Sequence, residues 1–562
     1  MLSSAPLWIF LSSLGHVIAD EESTKLVCET STFSAPVVPG AKVLSITAEE
    51  KLNVTTRTAT PVLPPVSGLD YCEVKVYLTH PGADDKVLVE TWLPISRDAW
   101  NGRFQATGGG AFATGMFDFT LGYPLKDGYA AASTDGGHPP DFLSADWVLN
   151  PDKSINWPLL QNFASRSIAD EVHVGKSIAE QYYGKKPHHS YYSGCSQGGR
   201  HGFALAQKYP GLVDGIMASA PALKFAKTAM GAIWPQVVMS DENILISNCE
   251  MAWFDAKAVE ECDLVDGAID GIIGDPDACN FDPATFVGKK IQCGSYEVTI
   301  TQKIASVVKR IREGPSTLFG ENITPGYPYG LSENFLMNVT IDADGVRTSH
   351  PSAMLDVWPR TVLVKDPAFN ASKLSYAEYL GLILQTSEQH GWLLDSYDTG
   401  LTAFRDAGGK FISWHGINDP NIPYKLSTGY WERLGLEFGG AKAVNEFFRL
   451  FLAPGVEHCG FGPGAAPKDP LAQLVDWVEN GEIPETLQAE TVDAEGELIT
   501  RDLCLYPKTI KYMGLGDVKR ASSWSCEGGE DEEETLENHG SFLGGFKDRI
   551  EQAALGLGLK VT

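Results

Sequence analysis

Positive charge is scarce in this chain: 44 Lys and Arg stand against 72 Asp and Glu, a formal net charge of −28. A surface of that sign repels phosphate, which argues against nucleic acid as a partner and against an anionic membrane surface. Long apolar runs are missing too. The run from Leu7 to Leu14 falls well short of the ~20 residues that a membrane-spanning helix needs. No internal repeat is present. No paired carboxylates of the kind that split glycosidic bonds stand out, so a polysaccharide depolymerase is the least favoured enzyme class.

What is present suits a large exported protein. The chain has 562 residues, 43% of them hydrophobic and 10% aromatic, enough for a sizeable core and more than one compact unit usually needs. The run from Leu7 to Leu14, followed by Val17, Ile18 and Ala19, reads as a signal peptide over residues 1–19, although no Lys or Arg precedes it. Ten cysteines, an even number, allow five disulfides in an oxidising compartment. Four N-x-S/T sequons, at Asn53, Asn322, Asn338 and Asn370, fit a glycoprotein. A secreted, extracellular protein is the expectation.

Residues 65 to 135 carry short β-type runs: Glu73 to Thr79 alternates, and Val87 to Leu93 and Phe104 to Thr107 follow. The spacing predicts a helix from Ala164 to Tyr182, a strand ending at Tyr191 and Tyr192, and a helix from Arg200 to Lys208. Strand, tight glycine turn and helix in that order make an α/β pattern. From about residue 225 to 400 the texture changes to cysteines, Asp-Gly turns, sequons and proline. That stretch reads as an inserted lid domain, residues 226–400, within a catalytic domain formed by residues 20–225 and 401–526. The acidic run Glu530 to Glu534 belongs to a linker and C-terminal tail, residues 527–562.

Residues 194 to 198 read Gly-Cys-Ser-Gln-Gly, a G-x-S-x-G pattern. A serine on a sharp strand-to-helix turn is pushed into the open, and flanking glycines leave room for the crowded backbone. Ser196 is the candidate nucleophile. Serine needs a base, and in an α/β-hydrolase the chain order is Ser, then Asp or Glu, then His. Asp419 follows a buried-strand signature and His458 sits in a later glycine-bounded loop, so the order holds. Rival histidines are weaker: His415 precedes Asp419 close behind a strand, His188 and His189 read as solvated loop, His201 lies on a helix, and His138 reads as structural. The oxyanion of acyl transfer needs two donors. The N–H of Gln197 is one candidate, and Gly109 or Gly110 in the Gly108–Gly110 run supplies the other. Cys195 precedes the serine and Cys459 follows the histidine.

With Cys-Ser, a distal Asp and His-Cys together, the chain resembles the fungal tannase and feruloyl esterase family over roughly residues 25 to 526. Gly102-Arg-Phe, the run from Ala132 to His138 and the run from Asp476 to Gly481 belong to the same resemblance. It implies an α/β-hydrolase core with a large inserted lid and a disulfide between Cys195 and Cys459. Closing so long a loop stabilises by about 5–6 kcal/mol on the chain-entropy model. The loop from Cys262 to Ile272 holds Asp263, Asp266 and Asp270 among glycines, hard oxygen ligands in a spacing unlike an EF-hand and without the His or free thiol that zinc prefers. In the similar family loop, calcium is bound by the matching aspartates and by two carbonyls, here Ala268 and Ile272, and the ion is structural. The resemblance further implies hydrolysis of a small aromatic ester, feruloyl-like or galloyl-like and of plant cell-wall or tannin origin, through an acyl-enzyme. A secondary-metabolism esterase or acyltransferase using the same triad is the alternative.

Overall fold

The computed structural model describes residues 25–57, 64–317, 319–331, 336–350 and 354–528. Its centre is a nine-stranded sheet made of β1 (Lys42–Val54), β2 (Leu69–Thr79), β3 (Val87–Pro94), β4 (Arg103–Thr107), β5 (Ala130–Thr134), β6 (His189–Cys195), β7 (Gly215–Ser219), β8 (Lys410–Gly416) and β9 (Phe448–Ala453). The strand order is β1-β2-β3-β5-β4-β6-β7-β8-β9. The pairs from β1 to β5 are antiparallel, and those from β5 across to β9 are parallel. This is an α/β-hydrolase sheet. The exchange of β4 and β5 brings the end of β4 beside the end of β6, which is what positions the site.

Sequence pattern follows burial. In β2, Val74, Val76 and Leu78 are each 0% exposed while the residues between them are half-exposed, the alternation of a sheet with one covered face. Phe411, Ile412, Leu450 and Phe451 of β8 and β9 are all 0% exposed, because parallel strands are covered on both faces. Each such side chain contributes about 1.5–3 kcal/mol of burial. Helix α1 (Ser167–Tyr183) packs Ile168, Val172 and Ala179 into this core. A π-helical turn, Asn162–Arg166, precedes it where a continuous α-helix from Ala164 is expected. The helix after the nucleophile turn, α2 (Gln197–Lys208), begins earlier than Arg200, and β6 runs past Tyr192 to Cys195.

Between β7 and β8 the chain leaves the sheet and returns. Helices Asn248–Cys262, Gln302–Glu313 and Tyr376–Thr386 build a second core there, with Trp234, Phe254, Val308, Trp358 and Tyr379 buried together. Phe112, Phe163 and Ala222 from the sheet side join that cluster, so the insertion sits on the end of the sheet that carries Ser196. All ten cysteines are paired: Cys28–Cys72, Cys195–Cys459, Cys249–Cys293, Cys262–Cys279 and Cys504–Cys526. Asn53, Asn322 and Asn370 are exposed, whereas Asn338 is half-buried and donates its amide to the His350 carbonyl. Residues 1–19 and the acidic run Glu530 to Glu534 lie outside the described residues.

Candidate active site

Ser196 stands between β6 and α2 with φ 63° and ψ −121°, a strained conformation for a residue with a side chain. Its N–H donates to the Ser219 carbonyl of β7 at 3.0 Å, and its carbonyl accepts from Arg200 and Ala222. The flanking glycines are required by contact: a Cβ on Gly194 would lie 2.7 Å from the Gly198 carbonyl carbon, and one on Gly198 would lie 2.9 Å from the Gly109 oxygen.

Asp419 follows β8 and is 0% exposed. Its Oδ1 accepts the N–H groups of Asn421 and Ile422 at 2.8 and 2.9 Å. His458 Nδ1 meets Oδ2 at 2.7 Å. His415 Nε2 also reaches Oδ2, at 3.3 Å, and lies 3.0 Å from the Ile422 carbonyl. Burial alone would push the Asp419 carboxyl up, but the charge of His458 and the hydrogen bonds from His415 and His458 hold it well below the usual range. His415 is fully buried and bonded to Ser427 and Ile422, so it backs the aspartate instead of facing the serine.

The disulfide Cys195–Cys459 joins the two neighbours, with Cα atoms 5.9 Å apart. A ring nitrogen of His458 lies within 4.8 Å of both sulfurs. Cys459 takes φ 58°, which turns the chain sharply after His458. Ser196 and His458 line one cavity of about 880 Å³ together with Gln197 and Gly108, Gly109 and Gly110. Gln197 is the first residue of α2, so its N–H points out of the helix start, where negative charge is favoured. Gly109 accepts the Gly198 N–H through its carbonyl at 3.0 Å, which ties the glycine run to the start of α2.

Other residues were not legible beforehand. Arg200 is 0% exposed; its guanidinium donates to the carbonyls of Phe163, Ala164 and Leu394 and to Gln197 Oε1, joining the core, the insertion and the start of α2. The nearest signal was its i, i+3 spacing from Gln197 on one helix. Phe112, Phe225 and Trp358 form an aromatic wall of the cavity, with centroid separations of 6.1, 5.5 and 6.5 Å. They come from three distant segments, and no local pattern links them. His138 stacks on Trp147 at 3.9 Å, and burial pushes it down to about 4. His201 is likewise buried, 2.7 Å from the Phe163 carbonyl. His188 is exposed, and His189 opens β6.

The family profile described as "Tannase and feruloyl esterase" matches residues 72–527. The chain belongs to that family. A "Probable feruloyl esterase" of Arthroderma benhamiae is 41% identical over 532 residues, covering 94% of this chain and 97% of that protein. "Feruloyl esterase B" of Aspergillus niger is 32% identical over 481 residues, covering 82% and 87%. Among solved structures, "Tannin acyl hydrolase from Aspergillus niger" superposes with a TM-score of 0.80 at 25% identity, covering 90% of this chain and 95% of that one. As a member of this family of esterases, the chain is a carboxylic ester hydrolase.

Away from the cavity, this family member carries the acidic loop of the insertion. Asp263 accepts the N–H groups of Asp270, Gly271 and Ile272, while Asp266 accepts that of Ala268. Asp266 is 3% exposed; burial, with the Asp270 and Asp263 charges, pushes it up to about 6 against the Ala268 hydrogen bond. Asp270 is raised too, chiefly by burial, although Arg501 donates to it at 2.8 Å. Among the described residues no hydrogen-bond donor reaches the carbonyl oxygens of Ala268 and Ile272. The charges of Asp263 and Asp270 bear on Asp266 beside these two carbonyls, and all are hard oxygen donors of the kind calcium takes, so the residue types fit that ion.

Proposed function

We propose that this ester hydrolase cleaves hydroxycinnamoyl esters through an acyl-enzyme on Ser196. The observation that carries the reading is the 2.7 Å hydrogen bond between His458 and Asp419 at the cavity that Ser196 lines. With Nδ1–H donated to Asp419, Nε2 of His458 is the basic nitrogen. It takes the Ser196 hydroxyl proton as Oγ attacks the ester carbonyl carbon and the π pair moves onto oxygen. The N–H of Gln197 and that of Gly109 or Gly110 receive this oxyanion. Collapse breaks the bond to the alcohol, which leaves with the proton from His458. Water then attacks the acyl-enzyme, giving its proton to His458, and the acid departs as Ser196 regains its hydrogen.

The wall of Phe112, Phe225 and Trp358 suits a flat aromatic acid. Three galloyl hydroxyls buried against such a wall would lose hydrogen bonds to water, which supports a hydroxycinnamoyl group over a galloyl one. Five disulfides and the N-terminal apolar run support secretion, and the four sequons support glycosylation. The acidic loop supports one structural calcium held by Asp263, Asp266, Asp270 and the carbonyls of Ala268 and Ile272. Bound there, the ion would cross-link the loop and take no part in the chemistry.

The test is hydrolysis of methyl ferulate and methyl gallate by the purified protein beside Ser196→Ala. Ferulate release that exceeds gallate release and disappears with Ser196→Ala is the expected result. Faster transfer to an added alcohol than to water would point to an acyltransferase, and gallate preference would reverse the acyl assignment.

A further inference from the structure

Beneath the glycine run lies a buried acid that the hydrolytic steps do not use. Glu171 projects from α1 and is 0% exposed. Its Oε1 accepts the N–H of Thr107 at 2.9 Å. Thr107 closes β4 and leads directly into Gly108, Gly109 and Gly110.

The sheet itself explains why that N–H needs a side chain. The next N–H, of Gly108, points the other way and donates to Ser193 of β6 at 3.0 Å. The Thr107 N–H therefore faces β5. There the two strands part: β5 pairs with β4 only as far as Ala106 and Ala132, while its pairing with β3 on the other edge continues through Ser133 and Thr134. Glu171 fills the gap that this divergence leaves, while the Thr107 hydroxyl donates to the Ala132 carbonyl at 3.0 Å. Burial pushes the Glu171 carboxyl well above its usual range, with the Thr107 hydrogen bond opposing, which favours its uncharged form.

The opposite wall is equally tight. The Tyr192 hydroxyl donates to the Gly198 carbonyl at 2.8 Å, and a Cβ on Gly108 would lie 2.3 Å from that hydroxyl oxygen. The glycine run is thus gripped at two points. α2 holds it through the Gly198 N–H and the Gly109 carbonyl, and Glu171 holds the strand that feeds it.

We infer that Glu171 is a positioning residue for the oxyanion site, holding the end of β4 so that the glycine run stays at the right distance from Gln197. This rests on the reading of Ser196 and the glycine run given above. Glu171 touches no reacting atom; it acts through Thr107. A shift of a few tenths of an ångström in the run would weaken donors that must meet a transient charge.

The experiment compares Glu171→Gln and Glu171→Ala with the unaltered chain on methyl ferulate, with active sites counted by a serine-reactive fluorophosphonate. Glu171→Gln keeps an acceptor oxygen of the same reach for the Thr107 N–H, so kcat stays within about threefold of the parent. Glu171→Ala releases Thr107, and kcat per titrated site falls about 10- to 100-fold with KM little changed, less than the 10²–10³ lost with a whole oxyanion donor. Its affinity for an aryl trifluoromethyl ketone, which forms the oxyanion on the serine, weakens by a similar factor, while affinity for free ferulate holds. A purely structural Glu171 would lower the melting temperature and the number of titratable sites yet leave kcat per site and ketone affinity unchanged. That result overturns the inference, as does a Glu171→Gln variant as slow as Glu171→Ala. Turnover that survives Ser196→Ala strikes at the underlying reading instead.

Discussion

Asp419 carries more hydrogen bonds than any orientation of His458 alone requires. Two backbone N–H groups hold Oδ1, and His458 and His415 share Oδ2. A carboxylate so held stays ionised through neutral pH and presents one oxygen to His458 Nδ1. Asp419→Asn would keep the shape but put an amide where the imidazole must donate. On the proposed mechanism, kcat for methyl ferulate then falls by about 10³–10⁴ while the fold persists. Steady-state kinetics beside a thermal melt check this, and a loss of less than about tenfold would show that His458 does not depend on the aspartate.

At the scale of elements, the approach to β3 is fastened by charge. His80, just after β2, reaches Asp85 Oδ2 through Nδ1 at 2.7 Å and Asp170 Oδ2 of α1 through Nε2 at 3.1 Å, all nearly fully buried. Burial lowers the His80 pKa, but the hydrogen bonds that its ring donates to Asp170 and Asp85 outweigh it and raise the value to about 9 from 6.5. The folded value lies above the unfolded one, so this stabilisation is complete below about 6.5 and is lost as pH rises through about 9. The melting temperature should therefore fall between neutral pH and pH ~10 by several degrees more than in His80→Gln. Calorimetry across that range checks it; parallel pH profiles for the two proteins would remove His80 as the cause.

For the whole molecule, the insertion is the part that a cation would brace. The proposed calcium loop is tied to the segment that follows β9, through Arg501 on Asp270 and Lys511 on the Val265 carbonyl, so its order bears on how the insertion seats over the cavity. Chelation should lower the melting temperature, with calcium restoring it by up to about 3 kcal/mol of stability at a hundredfold excess over its dissociation constant. Asp266→Asn should abolish that response without changing kcat at room temperature. A melt indifferent to chelator and to added calcium would remove the ion from the proposal.

What the sequence determined by itself was local or ordered along the chain. The G-x-S-x-G turn, the alternation in β2, the continuous apolar runs of β8 and β9, and the order of Ser196, Asp419 and His458 are all legible because each depends on near neighbours or on chain order. Cys195 and Cys459 could be singled out by what stands next to them. Tertiary structure alone decided the rest. It replaced the first turn of the expected helix at Ala164 with a π-helical turn, where Phe163 and Ala164 turn their carbonyls to Arg200. It assigned His415 to backing Asp419, a matter of which way a buried ring faces. It gathered Phe112, Phe225 and Trp358 onto one wall, and it set Glu171 into the gap between β4 and β5. These are contacts between segments far apart in the chain, fixed by how strands diverge and cores close, and no spacing along the sequence encodes them.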